Sequence, residues 1–587
     1  MKEKWDLTKL IRDSRDYKHY VAKLNELLSK FPKYKGKLLK DDKTFCEALN
    51  MQKEMDMICE RIYVYSFLGH YEDMSNPIFQ EYKEIASSLF DKVESVTSFV
   101  NPELLSSEYS VIDEYIKKNK NLRIFEFSLK NLFRYKAHVL SDKEEKLLSD
   151  LQDVFKTPRN AYDAIDNVDI KFDQIKDENG NLVDLTPYNY GTFLTSKSTD
   201  VRRDAFMSEY KYYKEHINTI SALYIGSIKN DASVAKVKKY KNSLSASLFD
   251  DKISPKLYKK LVKVTNKNLY LLKEFYKFKE GRLGQRIHMY DLYVNTSNKI
   301  TKKIDYKEAV EVVNKALIPL GDEYLNIFNS LLDTRCVDVY PKDKKRSGAY
   351  EWGTYGVDPY VSLNYENNID SVSTLAHEMG HAMHSYYSNR NQDYLYASYP
   401  IFLAEIASTV NEILLSNYLY NHANNPEEKK YYLMEFLDKF KATVYRQAMF
   451  ADFELQMHEK YEKGEILTKD ILCDTYYNLN VEHYAPVVEV DEEIKYEWAR
   501  IPHFYTPYYV YKYATGFICA LLIVEKLMKE ENFNVKYIDF LSSGSSAYPL
   551  DLLKKLDIDI NKEETLQKGF DIFRERLTLL KEIERDD

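Results

Sequence analysis

Ser371-Val-Ser-Thr-Leu-Ala-His377-Glu378-Met-Gly-His381-Ala-Met-His384 sets an H-E-x-x-H pattern inside an apolar segment of helical period. Residues four apart lie about one turn from each other on one helix face, so His377 and His381 can take adjacent corners of a zinc tetrahedron. Glu378 follows the first histidine directly. That position places its carboxylate beside the metal rather than on it, within reach of a water acidified by the ion, and marks Glu378 as the general base. Asp370 and Ser371 are candidate caps for the helix start, and Leu375, Met379, Ala382 and Met383 supply a buried side. Three of only 12 histidines fall within these eight residues. His384 sits on nearly the same face and reads either as a further contact of the site or as a structural histidine.

At 587 residues the chain is several times the usual domain size, which predicts two or more packed lobes. Hydrophobic residues make up 44% and charged residues 30%, while only 16 Gly and 15 Pro argue for long helices over a loop-rich sheet protein. The expected fold is mainly α. A net charge of −8 gives no basic excess that would recruit nucleic acid or an anionic membrane, so neither is an expected partner. The strongest basic run, Lys229 to Lys241, has the spacing of a solvated helix face. Five cysteines, widely spread and without a C-x-x-C, argue against a disulfide framework or a cysteine–zinc site. The charged first ten residues lack an apolar signal region, and the longest apolar run, Gly516 to Val524, is under half a membrane span; a cytoplasmic location is expected.

From Trp5 to about Asn167 apolar residues recur at three and four positions, which predicts stacked antiparallel helices with junctions near Pro32, Pro102 and Pro158. Ile170 to Ile175 alternates, and Glu178-Asn-Gly-Asn181 is a strong turn before Leu182-Val183, so a short hairpin follows. A lobe boundary is placed near 195, dividing the chain into 1–195 and 196–587. Ser347-Gly-Ala-Tyr-Glu-Trp-Gly353 and Tyr360-Val-Ser-Leu-Asn-Tyr365 read as two short strands just before the histidine helix. A strand edge there either holds an extended peptide or simply caps the core.

A catalytic zinc site usually has three protein ligands, so the motif helix requires one more donor. The metzincin pattern fails, because the positions three and six after His381 are His384 and Tyr387. The acidic residues that follow are Asp393, Glu405 and Glu412, and only the two glutamates lie on an apolar helical segment. Glu405 is the best third ligand. Glu412, two turns further on, is assigned to orienting a ligand histidine.

Taken together, His377-Glu-Met-Gly-His381, Glu405 in Ala-Glu-Ile-Ala-Ser408, and Ile501-Pro-His503-Phe-Tyr505-Thr-Pro-Tyr508-Tyr509-Val-Tyr511 resemble the M3 zinc metallopeptidases, specifically the oligoendopeptidase F branch. Trp5-Asp-Leu, Asp177-Glu-Asn-Gly180, Val201-Arg-Arg-Asp-Ala-Phe206, Ser243-Leu-Ser-Ala-Ser-Leu-Phe249 and Pro359-Tyr-Val-Ser-Leu-Asn-Tyr365 extend the resemblance in the same order. It implies a two-lobed helical clamshell with a deep substrate channel and a small zincin-like sheet beside the zinc helix. Residues 1–195 would be an oligopeptidase F N-terminal-like lobe and 196–587 the catalytic region. It further implies one Zn2+ on His377, His381 and Glu405, short unstructured oligopeptides as substrates, and a carbonyl-binding role for His503 with Tyr508 or Tyr511. Tyr511 is favoured as the last tyrosine of Tyr-Tyr-x-Tyr. The expected activity is zinc endopeptidase. A zinc carboxypeptidase or dipeptidyl enzyme on the same scaffold, and a non-catalytic peptide binder, remain as alternatives.

Overall fold

The computed structural model describes residues 3–297 and 302–586 and is mostly helical, with small two- and three-stranded sheets. The chain forms two compact units, each drawn from three segments. One comprises Met1–Val139, Thr301–Tyr418 and Ile523–Asp557; the other comprises Leu140–Ile300, Leu419–Leu522 and Ile558–Asp587. Neither is a contiguous stretch, since a large helical core is completed by whichever segments bury apolar faces against it.

In the first unit the long helices Asp42–Glu72 and Pro77–Thr97 pack side by side. Each starts at a side-chain cap: Asp41 accepts from Thr44 N, and Asn76 accepts from Ile78 N ahead of a proline whose missing N–H is harmless there. Phe45, Met55, Ile62 and Leu68 of the first and Ala86 and Leu89 of the second belong to one buried apolar core.

This core carries a three-stranded sheet in which Tyr360–Ser362 is central, Val337–Asp338 runs parallel to it, and Tyr350–Trp352 runs antiparallel at the opposite edge. The Tyr360 ring meets Trp5 edge-on, and its hydroxyl donates to Asp6 O at 2.8 Å. Trp352 packs against Tyr63 and Phe67 of the long helix. The loop into the edge strand is tied down by the buried Lys345, whose ammonium lies 3.0 Å from Asp338 Oδ2 and donates to Leu363 O at 2.6 Å. The two predicted strands therefore exist, and Tyr350–Trp352 has no second partner strand among the described residues.

The second unit is built around the helix Thr199–Val237 and a buried charge network: Arg446 to Glu497 at 2.7 Å, Arg500 to Glu209 at 2.8 Å, and the Tyr476 hydroxyl on Glu497 at 2.5 Å. Buried charges of this kind are tolerable only when paired and hydrogen-bonded. The predicted hairpin forms, with Ile175–Lys176 antiparallel to Leu182–Val183 and Gly180 at φ +82 in the turn. The junction expected at Pro158 does not form, because the helix Gln152–Asn167 runs through it. No helix of the described residues is long and apolar enough to cross a membrane.

Candidate metal centre

The motif segment forms the helix Ile369–Asn391. Its cap is Asn368, which accepts from Ser371 N at 2.8 Å, rather than the expected Asp370 or Ser371; the Ser371 hydroxyl instead accepts from Glu366 N. Leu375, Met379, Ala382 and Met383 are all buried, as the pattern predicts. The glutamates lie on the helix Ile401–Asn421.

These two helices cross where Gly380 meets Ala407 and Ser408. A Cβ at Gly380 would lie 2.6 Å from Ser408 Cα and 2.8 Å from Ala407 O, so any larger residue would push the glutamate helix away. Just beyond the crossing, the buried Asn411 donates to Ala376 O at 3.1 Å and fixes the register.

That register brings three donor atoms together. His377 Nε2 and His381 Nε2 are 3.2 Å apart, and Glu405 Oε2 lies 3.5 and 3.4 Å from them. A tetrahedral site with metal–ligand bonds of about 2.0–2.1 Å requires donor atoms about 3.3 Å apart, and the three separations match it. His377, His381 and Glu405 form the one group able to hold a metal ion among the described residues. On the far side of its ring, His377 donates Nδ1–H to Glu412 Oε1 at 2.9 Å. This fixes the tautomer that aims the Nε2 lone pair at the other two donors. The Ser408 hydroxyl donates to Glu405 Oε2 at 3.1 Å and steadies the third donor.

The electrostatics follow from these contacts. The Glu405 carboxyl is held down to about 2, chiefly by its hydrogen bond with His381. Burial opposes a proton on His381, but Glu405 outweighs it and the imidazole is raised. Glu378 is only 7% exposed; burial pushes its carboxyl up, against the pull of both imidazoles. His384 is buried, stacks on Tyr399 with centroids 3.7 Å apart, and is driven down to about 3 by burial, so it stays neutral as a packing group.

One carboxylate escaped the sequence reading. Glu351, on the edge strand, is buried enough to be pushed up to about 7, opposed first by the charge of His381. The only available signal was its place between Tyr350 and Trp352 in an alternating strand.

Residues 192–572 match the family described as Peptidase family M3, and residues 103–172 match the one described as Oligopeptidase F. The chain belongs to peptidase family M3. Across 581 residues it is 38% identical to Oligopeptidase PepF of Bacillus subtilis (strain 168), covering 99% of this chain and 87% of that protein. It is 33% identical to the plasmid Oligoendopeptidase F of Lactococcus lactis subsp. cremoris, with 99% and 97% covered. The crystal structure of oligoendopeptidase-F from Enterococcus faecium superposes with a TM-score of 0.76 at 33% identity, covering 98% of this chain and 99% of that one. With these relatives the chain is an M3 peptidase of the oligoendopeptidase F type.

The C-terminal tyrosines of this M3 chain lie in the second unit. In a helix Tyr508 and Tyr511, three residues apart, would share a face, but the helix Tyr511–Lys529 starts only at Tyr511, and Tyr508 precedes it at φ +57. Both side chains are buried. The Tyr508 hydroxyl pairs with Ser243 Oγ at 3.0 Å, its N–H donates to Glu454 Oε1 at 2.6 Å, and the Tyr511 ring packs on Tyr258. Tyr505 stacks on Tyr162. His503 is exposed, with Nε2 3.3 Å from the Tyr513 hydroxyl and its ring nearly parallel to that of Tyr509. Partial burial of its ring, then the charges of Arg159 and Arg446, lower the His503 imidazole. The phenols that share a surface with His503 are thus Tyr509 and Tyr513.

Proposed function

We propose that this peptidase is a zinc endopeptidase that hydrolyses internal bonds of short, unstructured oligopeptides, with one zinc ion held by His377, His381 and Glu405. The observation that carries this reading is the convergence of three donor atoms at tetrahedral spacing beside the buried Glu378. When bound, zinc supplies Lewis acidity that polarises the scissile carbonyl and acidifies a water. Glu378 accepts the proton of the attacking water and delivers it to the leaving amine; its raised carboxyl pKa suits both transfers. Glu412 holds the His377 ring in place through both steps.

For the substrate carbonyl we assign His503 with Tyr509 or Tyr513, in preference to the enclosed Tyr508 and Tyr511. A neutral phenol aids turnover only if its hydrogen bond tightens as the oxygen gains charge. Tyr513→Phe or Tyr509→Phe should lower kcat by about 10²–10³-fold with zinc content unchanged. Tyr508→Phe should mainly lower the thermal midpoint, by an amount equivalent to about 1 kcal/mol for the lost Ser243 contact. Turnover that falls only in the Tyr508 or Tyr511 variants would return the role to those residues.

Mass spectrometry of a defined peptide mixture, incubated with the zinc-loaded protein with and without a chelator, tests the whole reading. Chelator-sensitive products cut inside the chain are expected. Stepwise loss of one or two residues from an end would mark a carboxypeptidase or dipeptidyl enzyme, and unchanged peptides would mark a binding protein.

A further inference from the structure

His377, His381, Ser385 and Asn389 recur every four residues, so the face of the motif helix that carries the two histidines continues along Ser385 and Asn389. Those two residues line a cavity of about 510 Å³. The edge strand and the loop after it form another wall through Glu351, Trp352 and Tyr355, and Glu60 and Tyr394 complete it. The cavity therefore begins one helical turn, about 6 Å of rise, beyond His381.

Its chemistry is one-sided. The lining holds two carboxylates, Glu60 and Glu351, and no lysine, arginine or histidine among the described residues. Glu60 accepts from the Tyr394 and Thr354 hydroxyls, and a third carboxyl, Asp56, lies close behind it. Arg61, whose charge reaches Glu60, directs its guanidinium to the Tyr20 hydroxyl at 3.2 Å and to Tyr355 O at 3.4 Å.

Glu351 Oε1 is enclosed without a hydrogen-bond partner of its own, while the Ser385 hydroxyl donates to the carboxyl. Carboxylates gathered in one cavity whose lining holds no cation are costly to keep ionised unless a ligand supplies the opposite charge. The groups that only donate to a carboxyl, and whose charge favours its ionised form, are ammonium and guanidinium. The ring faces of Trp352 and Tyr355 suit the apolar stem and the charge of such a group.

We propose that this cavity is the subsite in which the peptidase takes a cationic group of its peptide substrate, an ammonium or guanidinium held against Glu351 and Glu60. The inference rests on the peptidase reading above and adds a substrate preference to it. The cation has two sources on a peptide, a lysine or arginine side chain and the free amino terminus, and both present the same chemistry.

The test uses peptides of one length in which lysine or its uncharged isostere norleucine is scanned through every position, each with a free and an acetylated amino terminus. kcat/KM is measured with the zinc-loaded wild type and with Glu351→Gln and Glu60→Gln, and zinc content is read on each preparation. The ratio of charged to uncharged peptide within one preparation cancels any loss common to both. At one position, or at the amino terminus, the cation should raise kcat/KM by about 10-fold to 100-fold, the size of a charge-assisted hydrogen bond. The ratio should collapse towards unity in Glu351→Gln and fall in Glu60→Gln. A preference abolished by acetylation alone supports the subsite with the amino terminus as its ligand. Cleavage without charge preference, or a preference that survives both substitutions, overturns the subsite and leaves the peptidase reading standing. Absence of any cleavage overturns both.

Discussion

Glu378→Gln is expected to lower turnover by about 10²–10⁴-fold, the range over which a positioned acid–base group contributes, while zinc content stays at one per chain. An amide has nearly the shape of the carboxylate it replaces but cannot accept a proton, so the attacking water keeps its own. The ligand set is untouched, because Glu378 is not among the three residues whose donor atoms converge. Folding should also be preserved. The side chain is 7% exposed, and a neutral amide removes a charge whose burial is unfavourable there. Steady-state hydrolysis of a fluorogenic peptide, with metal analysis of the same preparation, measures both quantities. Loss of zinc in this variant, or turnover near that of the wild type, would contradict the base assignment.

Glu405→Ala should abolish stoichiometric zinc binding, whereas Glu412→Ala should weaken it by about 10–100-fold, the usual effect of removing a group that orients a ligand. The difference follows from which atoms each carboxylate meets. Glu405 Oε2 sits within 3.5 Å of both Nε2 atoms, so its loss leaves two ligands and opens half of the tetrahedron. Glu412 reaches only the far nitrogen of His377, and without it the ring can turn or change tautomer but still presents a donor. Competition with a chelator of known affinity gives both dissociation constants on one scale. Equal losses, or a larger loss in Glu412→Ala, would exchange the two roles.

Much of this centre was legible in the sequence, because its parts are tied by short-range geometry. Four residues of helix place His377 and His381 on one face in any protein, and the neighbouring Glu378 is carried with them. Glu405 and Glu412 were legible for a related reason: seven residues is two turns, and carboxylates on an otherwise apolar helix are unfavourable without a partner. The mainly helical fold, the hairpin at 175–183 and the paired strands before the motif also follow from local period and turn chemistry.

Tertiary structure decided what depends on contacts between distant segments. The boundaries of the two compact units are set by which helices bury one another, and no division into consecutive halves describes them. The resemblance points to Tyr508 or Tyr511, yet Tyr508 adopts a left-handed backbone, held by Glu454 and Ser243 from elsewhere in the chain, and Tyr509 and Tyr513 are left beside His503. Glu351 acquires its environment only because its strand packs against the motif helix and one of its oxygens is closed off from water. Hydrogen-bond geometry within a helix repeats every turn and can be counted along the chain; the packing of one segment on another depends on the shapes of both.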